Sequence, residues 1–313
     1  MRVGQNPAKN INNIPKPQRI TIAVLSYIPF LSGFYRESLD VLKLCLQSIW
    51  DNTDLPYDLM VFDNGSCPET KKFLLESQQS KKIQYLIFSE RNIGKGGAWN
   101  AIFSSAPGEI IAYCDSDALF YKGWLSACVN VLETYPHVGM VTARPMRTKK
   151  ELFTSTLKWA KNTSGVKLEN GQILSFEQFK DFAITMGYTD ERIRELYQSS
   201  MDYRISYKGL PSFMGANHFQ FVCWKKIINQ FIPLKMDKPL GQVLLLDKLV
   251  NESGYLRLST DQSLVQNMSN HVPEDSRKIR TTEAKKFSIK NIPLIKNVLL
   301  YLHDKIFRIY FES

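Results

Sequence analysis

A chain of 313 residues with 44% hydrophobic and 22% charged residues can bury one large core, and this balance excludes a disordered or fibrous protein. The net charge of +10 points to a polyanionic partner: nucleotide phosphates, nucleic acid or an anionic membrane face. Five scattered cysteines without a Cys-x-x-Cys pair argue against a disulfide framework or a zinc site; with no signal-peptide core and no membrane-length apolar run, the expectation is a reduced, cytoplasmic protein.

Residues 1–18 read as a flexible tail ending in Pro15-Lys16-Pro17. The β-branched run from Ile20 to Leu25 predicts a first strand ending at Ser26-Tyr27, and Leu39, Leu42, Leu46 and Ile49 set a helix from Ser38 to Ile49. A second strand, Tyr57 to Phe62, runs into the tight turn Asp63-Asn64-Gly65-Ser66, with a polar helix from Glu69 to Gln79 behind it. A third strand, Ile83 to Phe88, precedes Asn92-Ile93-Gly94-Lys95-Gly96-Gly97 and a helix carrying Trp99, Asn100 and Phe103. The glycines here lack the Walker spacing, so the loop is either a phosphate contact or a flexible helix start. Ile110 to Cys114 form the next strand, followed by Asp115-Ser116-Asp117, a helix from Trp124 to Tyr135 and a strand from Gly139 to Ala143.

Strands alternating with helices of this length imply βαβ units and a mostly parallel α/β sheet. Right-handed crossovers then bring the carboxyl ends of the strands to one rim, where Asp63, Asn92, Asp115 and Asp117 fall together. Two carboxylates one residue apart can both reach a hard divalent cation; the alternative is a solvated Asp-Ser-Asp turn. From 147 to 208 the pattern is polar and helix-prone, with Phe176, Phe179 and Phe182 at helical spacing, and reads as a helical insertion that either shapes an acceptor pocket or forms a plain flap. Phe213 to Val222 read as a Gly-containing turn feeding a strand; a helix from about 240 to Glu252 and a strand through Leu258 follow. Beyond 278, lysines interleave with Ile and Leu in a basic amphipathic pattern, either a core-covering helix or a peripheral anchor on anionic lipid at the inner membrane face.

The order of these motifs resembles family 2 glycosyltransferases with the GT-A (Rossmann-like) nucleotide-diphospho-sugar transferase fold. The likeness spans roughly residues 19 to 270, with a donor half at 19–146, the insertion at 147–208, an acceptor half at 209–277 and the extension at 278–313. It rests on Ser26-Tyr27, Asp63-Asn64-Gly65-Ser66, Asn92-x-Gly94 with Asn100, Asp115-Ser116-Asp117 and Gly215-Ala216-Asn217. The resemblance implies an inverting, metal-dependent transfer of a sugar from a nucleotide-diphosphate donor, usually UDP, to an acceptor hydroxyl in polysaccharide or glycoconjugate synthesis, with Mn²⁺ or Mg²⁺ as cofactor. Ser26, Tyr27, Asp63, Asn92, Gly94, Lys95, Asp115 and Ser116 would bind the nucleotide, Asp63 through the base unless it serves only as an Asx turn. Asp117, with Asp115, would hold the metal, and Gly215, Ala216, Asn217 and His218 would face the acceptor or donor sugar.

Two departures from the family pattern stand out. The acid pair that supplies the catalytic base is replaced by Gln242 and Val243, leaving Asp247 or Asp237 as the nearby carboxylates; Asp247 can equally be ion-paired with Lys248 or Arg257. The metal-binding His of the last strand is replaced by Asn, with His271 four residues on as a displaced candidate. The missing acids leave open a catalytically impaired nucleotide-sugar or carbohydrate-binding protein on the same scaffold. A phosphatase of the Asp-x-Asp type needs its motif after the first strand, not the fourth, and nucleic-acid binding would need stacking platforms beyond net charge.

Overall fold

The computed structural model describes residues 3–10, 13–236 and 241–273; Asp237 and the basic stretch 278–313 lie outside them. Strand β1 (Ile20–Ser26) lies at the centre of the parallel half of a ten-stranded sheet. The chain leaves β1 through α1 (Ser38–Asn52) to β2 (Asp58–Asp63), and through α2 (Pro68–Gln79) to the edge strand β3 (Tyr85–Phe88). Helix α3 (Gly94–Ser105) then carries it back to β4 (Ile110–Asp115), which pairs with the other side of β1. The order β3-β2-β1-β4 therefore reverses direction between β1 and β4, the switch point at which open α/β sheets form their ligand crevice.

Both faces of this half are covered, which is why β1 and β4 read as unbroken apolar runs. Ile20, Ile22 and Val24 of β1 pack with Val41, Leu42 and Cys45 of α1, while Ala23 and Leu25 turn to Ala98, Trp99 and Ile102 of α3. β4 alternates in the same way, Ala112 and Cys114 to one core and Ile111 and Tyr113 to the other. Trp99 and Trp124 are fully buried, so both are core residues and not sugar platforms.

Beyond β4 the sheet continues through β10 (Gln220–Trp224), β6 (Val138–Thr142), β11 (Leu256–Thr260), β9 (Leu210–Met214), β8 (Asp202–Tyr207) and β7 (Lys167–Gly171). β6 and β11 are parallel to each other, β10 runs antiparallel between β4 and β6, and β9, β8 and β7 add an antiparallel meander. A short ribbon, β5 (Ala118–Phe120) with β12 (Val265–Asn267), clasps the chain just after Asp117. Helix α4 (Trp124–Thr134) packs in the same core as α1; the short α8 (Lys225–Ile228) follows β10, and α9 (Gln242–Glu252) packs in the same core as α3. The expected α/β fold with its mostly parallel central sheet is present. The segment 147–208 carries α5 (Thr154–Asn162), α6 (Phe176–Ala183) and α7 (Asp190–Ser199), but it also contributes β7 and β8 to the sheet, so it is not helical alone. All five cysteines are buried and free, and no helix among the described residues is long and apolar enough to cross a membrane.

Candidate active site

The rim of β1, β2 and β4 is locked by two asparagines. Asn64 Nδ2 donates to Asn92 Oδ1 at 2.8 Å, and the Ile93 N–H donates to Asn64 Oδ1 at 3.0 Å. Asn92 Oδ1 also accepts the Gly94 N–H at 2.8 Å, so the glycine-rich stretch forms the first turn of α3 beside the rim. An α-helix N-terminus favours anions. This latch needs Gly65: its φ is +85°, and a Cβ there would sit 2.8 Å from the Arg91 carbonyl carbon and 2.9 Å from the Asn92 nitrogen.

Ser26 and Asp63 end β1 and β2 in register and are both fully buried. Asp63 Oδ2 accepts the Ser66 N–H at 3.1 Å, the Asx-type turn expected as its alternative role, while Asp63 Oδ1 and Ser26 Oγ are buried without a hydrogen-bond partner. Burial raises the Asp63 carboxyl above its ordinary value despite the Ser66 hydrogen bonds.

Beside this notch opens a cleft of about 470 Å³, walled among others by Tyr27, Tyr35, Asn92, Lys95, Asp115 and Asp117. Asn64, Gly94 and Ser116 also line it; Ser26 and Asp63 lie outside the lining. Asp115 is held at both oxygens: Lys95 Nζ donates to Oδ2 at 2.6 Å and the Tyr113 hydroxyl to Oδ1 at 2.5 Å. Asp117 is different. Its Oδ1 is buried without a partner, and burial, with Asp115 nearby, pushes its carboxyl up to about 7 while Lys95 opposes this.

The loop 215–219, expected to face the sugars, crosses from β9 to β10. The Asn217 N–H donates to Thr142 Oγ1 at 2.7 Å, Asn217 Oδ1 accepts the Phe219 N–H at 3.0 Å, and the Phe219 carbonyl accepts the Asp115 N–H at 2.7 Å. His218 thus stands one residue from Phe219, whose carbonyl holds the Asp115 N–H. Its Nδ1 is buried and faces Asp247 Oδ2 at 3.6 Å, while the side chain as a whole is 37% exposed. Asp247 is buried on α9 and lies 2.6 Å from Arg257, whose other contacts are the Leu152 and Ala216 carbonyls at 2.7 and 2.8 Å. Arg257, not Lys248, is therefore the ion-pair partner. Burial lowers the Arg257 guanidinium, with Asp247 opposing.

Gln242 and Val243, at the start of α9, line the cleft where acids were sought. Asp247 lies one turn further along. His271 is not brought to Asp115 and Asp117: its Nδ1 sits 3.0 Å from Glu37, and among the described residues no three His, Cys, Asp or Glu side chains are gathered for a metal ion. The neighbouring Ser269 and Asn270 reach the cleft instead.

Sequence reasoning passed over Tyr113, although its position two residues before Asp115 on one strand put both on one face. It also passed over the edge-to-face cluster of Tyr27, Phe30 and Phe34 around Tyr35, with ring centroids 5.2–6.2 Å apart, whose signal was the density of aromatics in that loop.

The model of glycosyl transferase family 2 matches residues 33–203, more than half of the chain, and the chain belongs to that family. An uncharacterized glycosyltransferase of Nostoc is 27% identical over 100 residues, 32% of this chain and 31% of that protein. Glycosyltransferase AglE of Haloferax volcanii is 26% identical over 137 residues, 38% of this chain and 45% of its own length. These matches span less than half of either relative. Among solved structures, the mannosyltransferase PcManGT of Pyrobaculum calidifontis, in complex with GDP-Man and Mn²⁺, aligns with a TM-score of 0.48 and 15% identity over 92% of this chain and 70% of that one. Residues 1–349 of S. aureus TarS align with a TM-score of 0.47 and 15% identity, over 84% and 63% of the two chains.

Proposed function

We propose that the chain is a glycosyltransferase that moves a sugar, with inversion, from a nucleoside-diphosphate donor (UDP in the first instance) to an acceptor hydroxyl. Family membership supports the class. The observation that carries the reading is that one cleft at the β1/β4 switch point gathers Asn64, Asn92, Lys95, Asp115 and Asp117 from separate segments of the sequence. In this reading the base of the nucleotide reaches the unpartnered Asp63 Oδ1 with its imide N–H, and the ribose and diphosphate lie along the cleft. Lys95 and the first turn of α3 meet phosphate charge.

The orphaned, buried Asp117 oxygen fits a divalent cation such as Mn²⁺ or Mg²⁺, with Asp115 contributing from lone pairs left by Lys95 and Tyr113. When bound, such a cation supplies Lewis-acid stabilisation of the departing diphosphate. In this reading His218 takes the acceptor proton at Nε2, with Asp247, held by Arg257, placing negative charge 3.6 Å from Nδ1; Asp247 itself is the other candidate base.

The experiment is calorimetric titration of the whole chain with a panel of nucleotide sugars and Mn²⁺, followed by donor hydrolysis and transfer assays. Saturable binding with turnover supports the reading. The cleft-facing Gln242 and Val243 favour one alternative, a protein that binds nucleotide sugars without turning them over; binding without turnover would select it. Absence of binding would defeat both.

A further inference from the structure

A second cavity of about 330 Å³ lies under the 147–208 segment, and a buried arginine at its wall has its one carboxylate partner only at long range. Arg144, which follows β6 by two residues, is 2% exposed. Its contacts are all long: the Val265 and Gln178 carbonyls at 3.4 Å and the half-exposed Asp181 at 3.6 Å. Its Nε–H is buried with no partner. The fold treats its other buried arginines differently. Arg147 donates two hydrogen bonds of 2.7 Å to Asp202, and Arg257, although its Nε is also unpartnered, has Asp247 at 2.6 Å. A buried guanidinium is costly unless a close counter-charge meets it. Desolvation accordingly lowers the Arg144 guanidinium, with Asp181 opposing only in part.

Two further donors face the same cavity. Thr148 Oγ1 is buried without a partner, and Gly215 leaves the space it occupies, since a Cβ there would fall 2.2 Å from that oxygen. Lys149 is exposed and lines the cavity as well. Phe179, Phe182 and Met186 supply apolar wall, beside the polar Arg147, Gln178 and Ser200. The cavity is linked by packing to the 215–219 loop: the Arg144 guanidinium lies 5.1 Å from the Phe182 ring, and Phe182 packs at 5.6 Å on Phe219, the residue after His218.

We propose that this cavity binds a phosphoryl group carried by the acceptor, so that the acceptor substrate is anionic. A guanidinium N–H, a hydroxyl and an ammonium on three separate residues suit a tetrahedral oxyanion better than a planar carboxylate, for which one arginine fork suffices. Phe179 and Phe182 offer an apolar face to the group that bears it. The inference rests on the glycosyltransferase reading for the word acceptor, but the site itself does not.

The test is calorimetric titration of the full chain with inorganic phosphate at constant ionic strength, first with UDP and Mg²⁺ saturating the donor cleft and in parallel without them, with acetate as the control anion. Saturable phosphate binding is expected in the UDP-loaded protein, tighter than acetate by about tenfold or more. Arg144→Gln, Thr148→Val and Lys149→Ala should each weaken it by roughly threefold or more while the UDP affinity is unchanged. Thr148→Val and Lys149→Ala decide the matter should Arg144→Gln fail to fold. No saturable phosphate binding, equal binding of acetate, or binding indifferent to Thr148→Val and Lys149→Ala would overturn the proposal. Loss of UDP binding alongside an intact, variant-sensitive phosphate response would defeat the nucleotide-sugar reading and leave this site standing.

Discussion

Gly65 is the residue on which the rim of the cleft closes, and Gly65→Ala tests that geometry with little ambiguity. The backbone there has φ +85°, and the added methyl would meet the backbone of Arg91 and Asn92 at 2.8–3.1 Å. Left-handed backbone costs a non-glycine residue about 1–2 kcal/mol, and overpacking against atoms that cannot swing away adds about 1–3 kcal/mol. The expected loss is therefore about 2–5 kcal/mol, a large share of the roughly 5–15 kcal/mol that holds a protein folded. Relief of the clash would push apart the loops after β2 and β3, and with them the Asn64–Asn92 hydrogen bond. Urea unfolding reads the stability and UDP titration reads the rim. Gly97→Ala is the internal control, since its Cβ meets only Ile93 side-chain atoms at 3.3–3.4 Å and sits inside α3, where alanine is the better helix former. It should fall within about 1 kcal/mol of the parent, or above it. A Gly65→Ala protein as stable as Gly97→Ala would refute the close approach described at the rim.

Other outcomes follow from the contacts of the buried carboxylates. Asp63→Asn should weaken UDP binding by about ten- to a hundredfold, the worth of a charge-assisted hydrogen bond, and shift preference toward CDP, whose ring nitrogen accepts where that of uracil donates; equal UDP affinity in calorimetry would contradict this. Because burial raises the folded Asp63 carboxyl, UDP affinity should begin to fall with acidification above the ordinary carboxylate range near ~4, and this part of the pH profile should be absent in Asp63→Asn. For stability the sign is opposite: the folded state binds the proton more tightly than the unfolded one, so this carboxyl's contribution is lost as pH rises through the raised value, and urea midpoints at several pH values should show the difference between parent and variant. Asp247→Asn should cost about 3–5 kcal/mol in urea unfolding, since it strips the counter-charge from the fully buried Arg257; His218→Gln should spare stability and lower turnover without raising the donor KM.

Much of the parallel half of the sheet was legible because burial on both faces leaves a simple trace. β1 and β4 are apolar throughout, and the turn chemistry of Asp63-Asn64-Gly65-Ser66 and Asn92-x-Gly94 marks where strands end. The outer sheet was not legible for the opposite reason. β7, Lys167–Gly171, is an edge strand with almost no burial, so no alternation of polar and apolar residues betrays it. The long-range pairs were harder still. His271 finds Glu37 and Asp247 finds His218 only after the chain has folded; the Asp247–Arg257 pair was one of two open readings, and nothing in local spacing says that Arg144 is left short of a counter-charge.

The central claim is a metal-assisted nucleotide-sugar site at Asp117. The most direct measurement compares Mn²⁺-dependent donor turnover in the parent and in Asp117→Asn, both shown to be folded by thermal unfolding. Asp117 is buried without a partner for one oxygen, so the amide should leave the fold as stable as the parent or more so while metal-dependent turnover disappears. Turnover that persists unchanged in Asp117→Asn would contradict the account.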